Sequence, residues 1–567
     1  MGIALSFIPL LITVGLVYLV VNASRRHGGP GAPDARGVRR FFQYALLCAL
    51  VLVTATGVSD LLGHLVGDGD PDDEAALARA LAFTVVGGPL AAALAWWTRR
   101  RHLRDPGETA STTYASYLTL TALTALAVAM VQTQAAVAVA LQARPGSAGA
   151  AVAVLVWGGL WLVHWWLAER TLSRDRNTGH LLLGSAAGLG TALAGFVLLL
   201  AAALDLLVRA EPVLGGTARL GTAAATFLVG AVVWVQYWVL NAARGPRGVP
   251  WLLLVLPVGV GGGLVVAVVG ASVLLWDVLV WFLGDVRAPS ALDHFAGAPT
   301  AVGAVVGGAV VWWYHRAVLG ETRVVRTEVR RIYEYLVAGI GLLAAATGVG
   351  MVVVAAVESL TPGVDVGVTV RNTLLGAVTL LVVGVPLWWG FWRGIGRAVV
   401  ASPTTEVASR TRRTYLVLLF GIAGVAAVVA LIVAVYLLLE DLLAGELSGA
   451  TARDMRYALG VLVAAAAVSA YHGSVFRQDR ELVPPTPELP AGPRSVVLVG
   501  PADDHLAREL ARRTGARVEL WPRLDDDAAA AWSLTDLVTA VEGYPGADVL
   551  VLGGSHAPEV VPVGRHR

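Results

Sequence analysis

The sequence predicts an all-α polytopic membrane protein with about 13 transmembrane helices, followed by a small C-terminal cytoplasmic α/β domain. Of its 567 residues, 56% are hydrophobic and 14% are charged, whereas soluble domains carry roughly a quarter charged residues. Apolar stretches of about 20 residues, the length that crosses a bilayer, recur along most of the chain. After residue 480 this pattern stops, and short strand-like and helix-like stretches alternate.

The first predicted transmembrane helix occupies residues 1–22. Arginines follow this stretch and none precedes it, which is the reverse of the charge order in a signal peptide, so we interpret it as uncleaved. Twelve further apolar stretches lie at about 41–66, 80–98, 114–141, 149–168, 179–208, 218–240, 249–284, 297–316, 332–360, 373–392, 414–443 and 457–476.

Arginine is concentrated in every second connection, at residues 25–40, 99–104, 170–176, 244–247, 316–331, 393–413 and 477–480. Because positively charged loops stay on the cytoplasmic side, this pattern predicts an N-terminus outside and a C-terminus inside. The excess of alanine, glycine and valine favours a bacterial origin, and hence the bacterial cytoplasmic membrane.

Aromatic clusters stand at the predicted cytoplasmic ends of every second helix, as in LWWGFWRGIGR at residues 387–397. Successive residues of a helix point about 100° apart, so these rings fan outward and favour an interfacial aromatic belt over a ligand cage. Indole rings prefer headgroup depth, and the arginines that follow extend beyond them. The predicted anchors are Trp96, Trp97, Trp161, Trp165, Trp166, Trp234, Trp238, Trp312, Trp313, Trp388, Trp389 and Trp392.

The chain also contains an internal repeat. RRFFQYALLCALVLVTATGVSD, from residue 39, aligns without a gap with RRIYEYLVAGIGLLAAATGVGM, from residue 330, so that Tyr44 matches Tyr335. A weaker copy starts at Arg412. The repeating unit is a helical hairpin, and six tandem hairpins over residues 36–480 account for the twelve helices, all entering the membrane from the same side.

With RRFFQY opening the first helix of a unit and VPLWWGFWR closing the second, these hairpins resemble an uncharacterised bacterial membrane domain of unknown function that often occurs in tandem copies. The resemblance covers about residues 36–480 and is best in the first and fifth hairpins. It implies a multi-pass protein built from two-helix units, and it implies no particular activity.

Residues 481–494 form a proline-rich linker, which is extended and semi-rigid. Residues 495–567 predict a small βαβαβ domain. Its predicted strands are SVVLVG, ARVELWP and DVLVLGG, and its predicted helices are HLARELARRTG and SLTDLVTAVEGY. The turn after the first strand lacks a phosphate-binding motif, and Asp503 and Asp504 are interpreted as favourable charges at a helix start. We therefore predict no cofactor.

Polar residues inside apolar stretches are the candidate functional groups. Asp60 is the best placed, and Gln132 and Gln134 would either line a pathway with it or bond between helices. Acidic residues at outer helix ends would form a cation-attracting rim or be solvated ends; they are Asp68, Asp205, Asp277, Glu358 and Asp441. Three histidines near cytoplasmic helix ends lack companion carboxylates, so we predict interface histidines and no metal site at His164, His315 and His472.

No nucleophile–base, metalloprotease or paired-carboxylate motif is present, so a non-enzymatic function is favoured, without a nucleic-acid partner. A solute-permeating protein, weakly favoured, predicts a polar central cavity lined by Asp60, Gln132 and Gln134. A sensor or scaffold that signals through the C-terminal domain predicts a closed apolar core. The expected partners are the lipid bilayer and either a small solute or a cytoplasmic protein that binds the C-terminal domain.

The arginine distribution generates a topology prediction. A reporter fused after Arg567 should report a cytoplasmic location, and one inserted in the loop 68–74 should report an external location. Paired phosphatase and fluorescent-protein fusions measure both positions, and opposite signals would reverse the predicted orientation.

Overall fold

The computed structural model describes residues 35–67, 73–146, 148–208, 216–320, 326–361, 368–482, 492–500, 503–522, 533–552 and 558–564. The chain divides into two compact parts, Met1–Phe476 and Arg477–Arg567. The predicted first helix, at residues 1–22, lies outside the described residues.

Twelve helices in the described part are long and apolar enough to cross a membrane, one for each predicted stretch between residues 41 and 476. This indicates a multi-pass membrane protein. The helices are α1 (Arg36–Leu65), α2 (Glu74–Arg104), α3 (Thr112–Ala140), α4 (Ala148–Thr171), α5 (Arg174–Val208), α6 (Gly216–Arg244), α7 (Val249–Leu283), α8 (Ala298–Leu319), α9 (Glu328–Leu360), α10 (Val370–Ala401), α11 (Arg410–Ala444) and α12 (Arg456–Leu482). We call α1–α4 the first bundle and α9–α12 the last bundle.

Some of these helices are locally irregular. Wider π-helical turns lie at Phe83–Gly87 in α2, Val235–Val239 in α6 and Leu254–Gly262 in α7. The last contains Pro257, which has no N–H to donate and therefore interrupts the α-helical hydrogen bonds. Short helices within the connections are Ala291–His294, Pro403–Val407 and Gly449–Asp454.

Glycines bring the two helices of several hairpins into close contact. A Cβ atom at Gly341 of α9 would lie 2.5 Å from the backbone nitrogen of Trp388, and one at Gly384 of α10 would lie 2.5 Å from the backbone nitrogen of Ala345. Because lipid tails are as apolar as the helices, helices associate in a bilayer by close van der Waals packing. The same arrangement holds α5 to α6 and α7 to α8, through Gly188, Gly195, Gly230, Gly263, Gly270 and Gly308.

The C-terminal part contains a four-stranded sheet with strand order β2-β1-β3-β4. Its strands are β1 (Ser495–Gly500), β2 (Arg517–Pro522), β3 (Asp548–Leu552) and β4 (Glu559–Val563), and its helices are α13 (Asp504–Thr514) and α14 (Leu534–Glu542). β1 is parallel to β2 and β3, and β4 is antiparallel to β3. The three predicted strands and two predicted helices are present.

The fourth strand was not predicted. β4 contains Pro562, which cannot donate to a ladder and is therefore tolerated only where one side of a strand is unpaired, as at this sheet edge. Asp503 accepts hydrogen bonds from the backbone nitrogens of His505 and Leu506 at 2.9 and 3.0 Å, so it caps α13 as expected. The buried core lies between sheet and helices and comprises Val496, Leu498, Leu510, Ala516, Leu537, Val541, Val549 and Val551.

Gly384 and Gly390 provide a matched test of helix packing on α10. Gly384→Ala places a methyl group against the backbone of α9 and should destabilise the protein by about 1–3 kcal/mol, the usual cost of overpacking. Gly390→Ala should be neutral or slightly stabilising, because no atom of the described residues lies within 4 Å of its added Cβ. Thermal unfolding midpoints in one detergent compare the two, and equal midpoints would contradict this packing.

Candidate functional site

An ion pair ties the start of α1 to the connection between α2 and α3. The Nε atom of Arg40 lies 3.1 Å from Oε2 of Glu108, and Arg39 pairs with the other carboxylate oxygen. Burial of Glu108 opposes its ionisation, but hydrogen bonds and attraction from both guanidinium groups outweigh it and hold the pKa of the carboxyl below its usual value. The carboxylate is therefore charged at neutral pH.

The last bundle repeats this ion pair. Nη2 of Arg331 lies 2.8 Å from Oε1 of Glu406, and both side chains are buried. The two glutamates occupy equivalent positions in the short sequences GETAS and TEVAS, three residues before a serine that caps the next helix. Glu108 and Glu406 were not predicted, because both lie in connections outside the apolar stretches. The similarity between these two connections is the sequence signal that could have identified them.

A tyrosine and a histidine are paired inside the first bundle. The hydroxyl of Tyr117 lies 3.0 Å from Nε2 of His164, and Nδ1 of the same imidazole lies 2.9 Å from the carbonyl oxygen of Leu160. A carbonyl can only accept, so Nδ1 carries the hydrogen and Nε2 of the neutral ring accepts from Tyr117. Tyr44 stacks on Tyr117 with ring centroids 5.7 Å apart.

The corresponding pair in the last bundle is not hydrogen-bonded. Tyr415 lies six residues after the capping serine, as Tyr117 does, and His472 bonds through Nδ1 to the carbonyl oxygen of Val468 at 2.9 Å. The Tyr415 hydroxyl and Nε2 of His472 are both buried, and neither has a hydrogen-bond partner in the part of the chain that the structure describes.

All three candidate histidines are buried within the protein. His164, His315 and His472 are between 0 and 4% exposed. His315 also bonds through Nδ1 to the carbonyl oxygen four residues earlier, at 2.8 Å. Each ring packs against aromatic residues of neighbouring helices, and the position of the histidines at the membrane interface stays a prediction. Within the described residues, no cluster of three His, Cys, Asp or Glu side chains could hold a metal ion.

The predicted tryptophan anchors have two different environments. Trp96, Trp166, Trp313 and Trp389 are about half exposed or more. The arginine four residues later lies over the indole ring in three cases, at 3.8 Å for Trp96, 4.1 Å for Trp166 and 5.5 Å for Trp389. This geometry suits an anchor at headgroup depth. The other anchors that keep some exposure are Trp97, Trp161, Trp165, Trp234, Trp312 and Trp388.

Two predicted anchors instead lie inside the protein. Trp238 and Trp392 are buried, and their indole N–H groups donate to the hydroxyls of Tyr314 and Tyr471, at 3.0 and 2.7 Å. These two side chains therefore connect helices and do not face lipid. The sequence pattern could not separate them from their exposed neighbours, because both kinds sit within the same short aromatic runs.

The polar candidates in the spans are not brought together. Asp60 is half-buried on α1, near Arg79 of α2 and His64. Gln134 accepts a hydrogen bond from Thr226 of α6 at 3.4 Å, the helix-bonding role considered above. Gln132 is partly buried on α3.

The acidic residues at the opposite helix ends have separate environments. Glu358 pairs with Arg456 at 3.0 Å, and Asp441 accepts from Thr451 at 2.5 Å. Asp277 is buried. Asp205 is partly buried at the end of α5, and Asp68 lies outside the described residues. The local pairings of Glu358 and Asp441 leave them less available for a shared acidic rim.

An apolar groove of about 670 Å³ lies between α9, α11 and α12. Along α12, Gly460 approaches Gly350 of α9, and Ser469 donates to the carbonyl oxygen of Phe420 of α11 at 3.1 Å. Glycine, alanine and aliphatic residues make up most of the lining. Leu343 of α9, which lines the groove, is 71% exposed, so the groove opens at the outer surface of the helices.

The two ends of the groove differ. At the arginine-rich end, Gly339 lines the groove next to the ring of Tyr415, and lining residue Val468 accepts the hydrogen bond from His472. At the opposite end, the ring of Tyr457 lines the groove and the guanidinium group of Arg456 lies over it at 4.4 Å. The groove is therefore apolar along its length, with polar groups behind both ends.

Three tryptophans of α4 have small residues at the equivalent positions of α12: Trp157, Trp161 and Trp165 correspond to Ala465, Ser469 and Gly473. Seven residues before His164, Trp157 packs with Ala125, Ala129 and Ala153 and joins α3 to α4. Seven residues before His472, the equivalent position is Ala465, which lines the groove. The indole that fills this space in the first bundle is thus replaced by a methyl group in the last bundle.

Comparison with known families agrees with this division. The model of a domain of unknown function (DUF5671) matches the chain twice, over residues 40–159 and 331–467. Both stretches are similar to this domain. Each match begins at the second arginine of the repeat and reaches into a fourth helix, so the two-helix unit expected from the resemblance was too short. The resemblance to a repeated uncharacterised domain is confirmed. No curated protein and no solved structure matches the chain.

The buried ion pair of the second copy can be tested against an exposed one. Glu406→Gln leaves the Arg331 guanidinium without its buried partner and should destabilise the protein by about 3 kcal/mol. Arg371→Gln, which removes an exposed pair with Asp285, should cost about 0–1 kcal/mol. Thermal unfolding midpoints measure both, and a Glu406→Gln midpoint equal to that of Arg371→Gln would contradict a structural role for the buried pair.

Proposed function

We propose that this protein is a sensor in the bacterial cytoplasmic membrane. It binds a membrane-soluble amphiphile, whose hydrocarbon chain lies in the groove of the second domain copy. The observation that carries this proposal is the replacement of Trp157 by Ala465 at the equivalent position, which leaves an apolar space between helices. The side chains around an empty apolar space lack dispersion contacts on that side, so a hydrocarbon chain that fills the groove would be bound favourably.

The dimensions of the groove support a single chain as its occupant. Its lining on α12 extends over residues 457–468, which is about 16 Å at the helical rise of 1.5 Å per residue. The hydrocarbon core of a bilayer is about 30 Å thick, so the chains of one leaflet extend about 15 Å. The groove is therefore long enough to hold one leaflet's chain and apolar as that chain is, and its lining on α9, over residues 339–354, extends further.

The lining favours a sensor over a pathway for polar solutes. Asp60, Gln132 and Gln134, which the permeation hypothesis would place around a polar cavity, do not line this groove. The groove is also bounded by α12, the last helix before the linker and the C-terminal part. A ligand that changes the packing of α12 would act on the helix that precedes this linker and the C-terminal part. A sensor that signals through its C-terminal part is expected to work in this way.

The orientation of the protein in the membrane is part of the same proposal. We place the arginine-rich helix ends and the C-terminal part on the cytoplasmic side, because arginine is retained there during insertion. The exposed tryptophans with arginine over their rings support this by marking one headgroup level.

The proposal is tested by filling the groove. Ala465→Trp restores the side chain of the first copy and should reduce labelling of α9, α11 and α12 by a photoreactive hexadecane about tenfold or more, since tenfold corresponds to only 1.4 kcal/mol of binding energy. Peptide mass spectrometry of labelled protein in nanodiscs measures the effect.

Ala466→Trp is the matched control, because residue 466 is exposed and does not line the groove. It should leave the labelling unchanged. Equal labelling of wild type, Ala465→Trp and Ala466→Trp would mean that the probe only samples the lipid-facing surface, and the proposal would be wrong.

A further inference from the structure

We infer that the groove is selective for a long-chain amphiphile with a hydroxyl head, and that this hydroxyl binds between Tyr415 and His472 at the arginine-rich end. The inference rests on the proposed function and names its ligand class. It comes from the difference between the two domain copies. The equivalent tyrosine and histidine bind each other in the first copy, whereas in the second neither the Tyr415 hydroxyl nor Nε2 of His472 has a hydrogen-bond partner among the described residues.

Other polar groups around this end are already engaged, except for the indole nitrogen of Trp388, which is buried without a hydrogen-bond partner among the described residues. Nη1 of Arg412 donates to the hydroxyl of Tyr335 at 3.1 Å, and the indole N–H of Trp392 donates to the hydroxyl of Tyr471 at 2.7 Å. Together with that indole nitrogen, the Tyr415 hydroxyl and Nε2 of His472 thus stand out within this cluster. A buried polar atom without a partner carries a desolvation cost that a ligand can remove.

The histidine tautomer defines what the ligand must supply. Nδ1 of His472 carries its hydrogen, because it bonds to the carbonyl oxygen of Val468 at 2.9 Å. The ring is wholly buried among aromatic residues, where a charged imidazolium would be costly, so Nε2 is a bare acceptor. The Tyr415 hydroxyl, in contrast, has a hydrogen to donate.

One group that serves both atoms is a hydroxyl. It can accept from Tyr415 and donate to His472 at the same time, whereas a carboxylate or an ester carbonyl cannot donate. The rings of Tyr415 and His472 have centroids 6.0 Å apart, compared with 5.6 Å for the directly bonded pair in the first copy. The slightly wider pair is the one that adjoins the groove through Gly339 and Val468.

The test compares two photoreactive probes, hexadecanol and hexadecane carrying the same diazirine, on the full chain in nanodiscs. Wild type should be labelled in the groove by hexadecanol at concentrations roughly three- to tenfold lower than by hexadecane, which is the selectivity expected from one net hydrogen bond. Tyr415→Phe and His472→Phe should remove this preference while labelling by hexadecane persists, which also reports that the variants fold.

Tyr117→Phe is the matched control, because it breaks the equivalent pair in the first copy, away from the groove. It should leave the preference for hexadecanol intact. Equal labelling of wild type by the two probes would overturn this inference while the proposed function stands. If neither probe labels the groove, both this inference and the proposed function would be wrong.

Discussion

Polar groups inside a bilayer must find their hydrogen-bond partners within the protein, and this requirement organises the helices of this chain. Each of the three histidines bonds through Nδ1 to a carbonyl oxygen of its own helix, which leaves Nε2 for a neighbouring group. Tryptophan–tyrosine pairs join α6 to α8 and α10 to α12 in the same way. At the helix ends, buried Arg331 and Glu406 likewise neutralise each other within the protein.

The two domain copies share this framework and differ in the side chains that fill it. Both copies retain the arginine–glutamate pair, the packed tyrosines and the histidine at the arginine-rich end. They differ where a large side chain joins the second pair of helices, Trp157 in one and Ala465 in the other. The groove lies beside this position in the second copy, where the equivalent tyrosine and histidine are also not hydrogen-bonded to each other. A structural copy and a candidate ligand-binding copy thus coexist in one chain.

Much of the fold was predictable because it depends on local composition. The twelve apolar stretches correspond to twelve helices in the described part of the chain, and the repeat that starts at Arg39 and Arg330 corresponds to the two matched domains. The candidate site was less predictable. Asp60 and Gln132 stood out because charge and amide groups are rare in apolar stretches, yet the groove depends on alanine and glycine, which are common throughout this chain and carry no distinguishing signal.

The sequence by itself determined where the twelve apolar helices of the described part lie, their alternating arginine-rich ends and the strand–helix alternation of the C-terminal part, because hydropathy and periodicity are properties of consecutive residues. Only the tertiary structure decided which tryptophans face outward, which glutamate meets which arginine, and where helices separate. Trp389 and Trp392 are three residues apart in one aromatic run, and one is exposed while the other is buried against Tyr471. That difference depends on the neighbouring helix, which no local pattern contains.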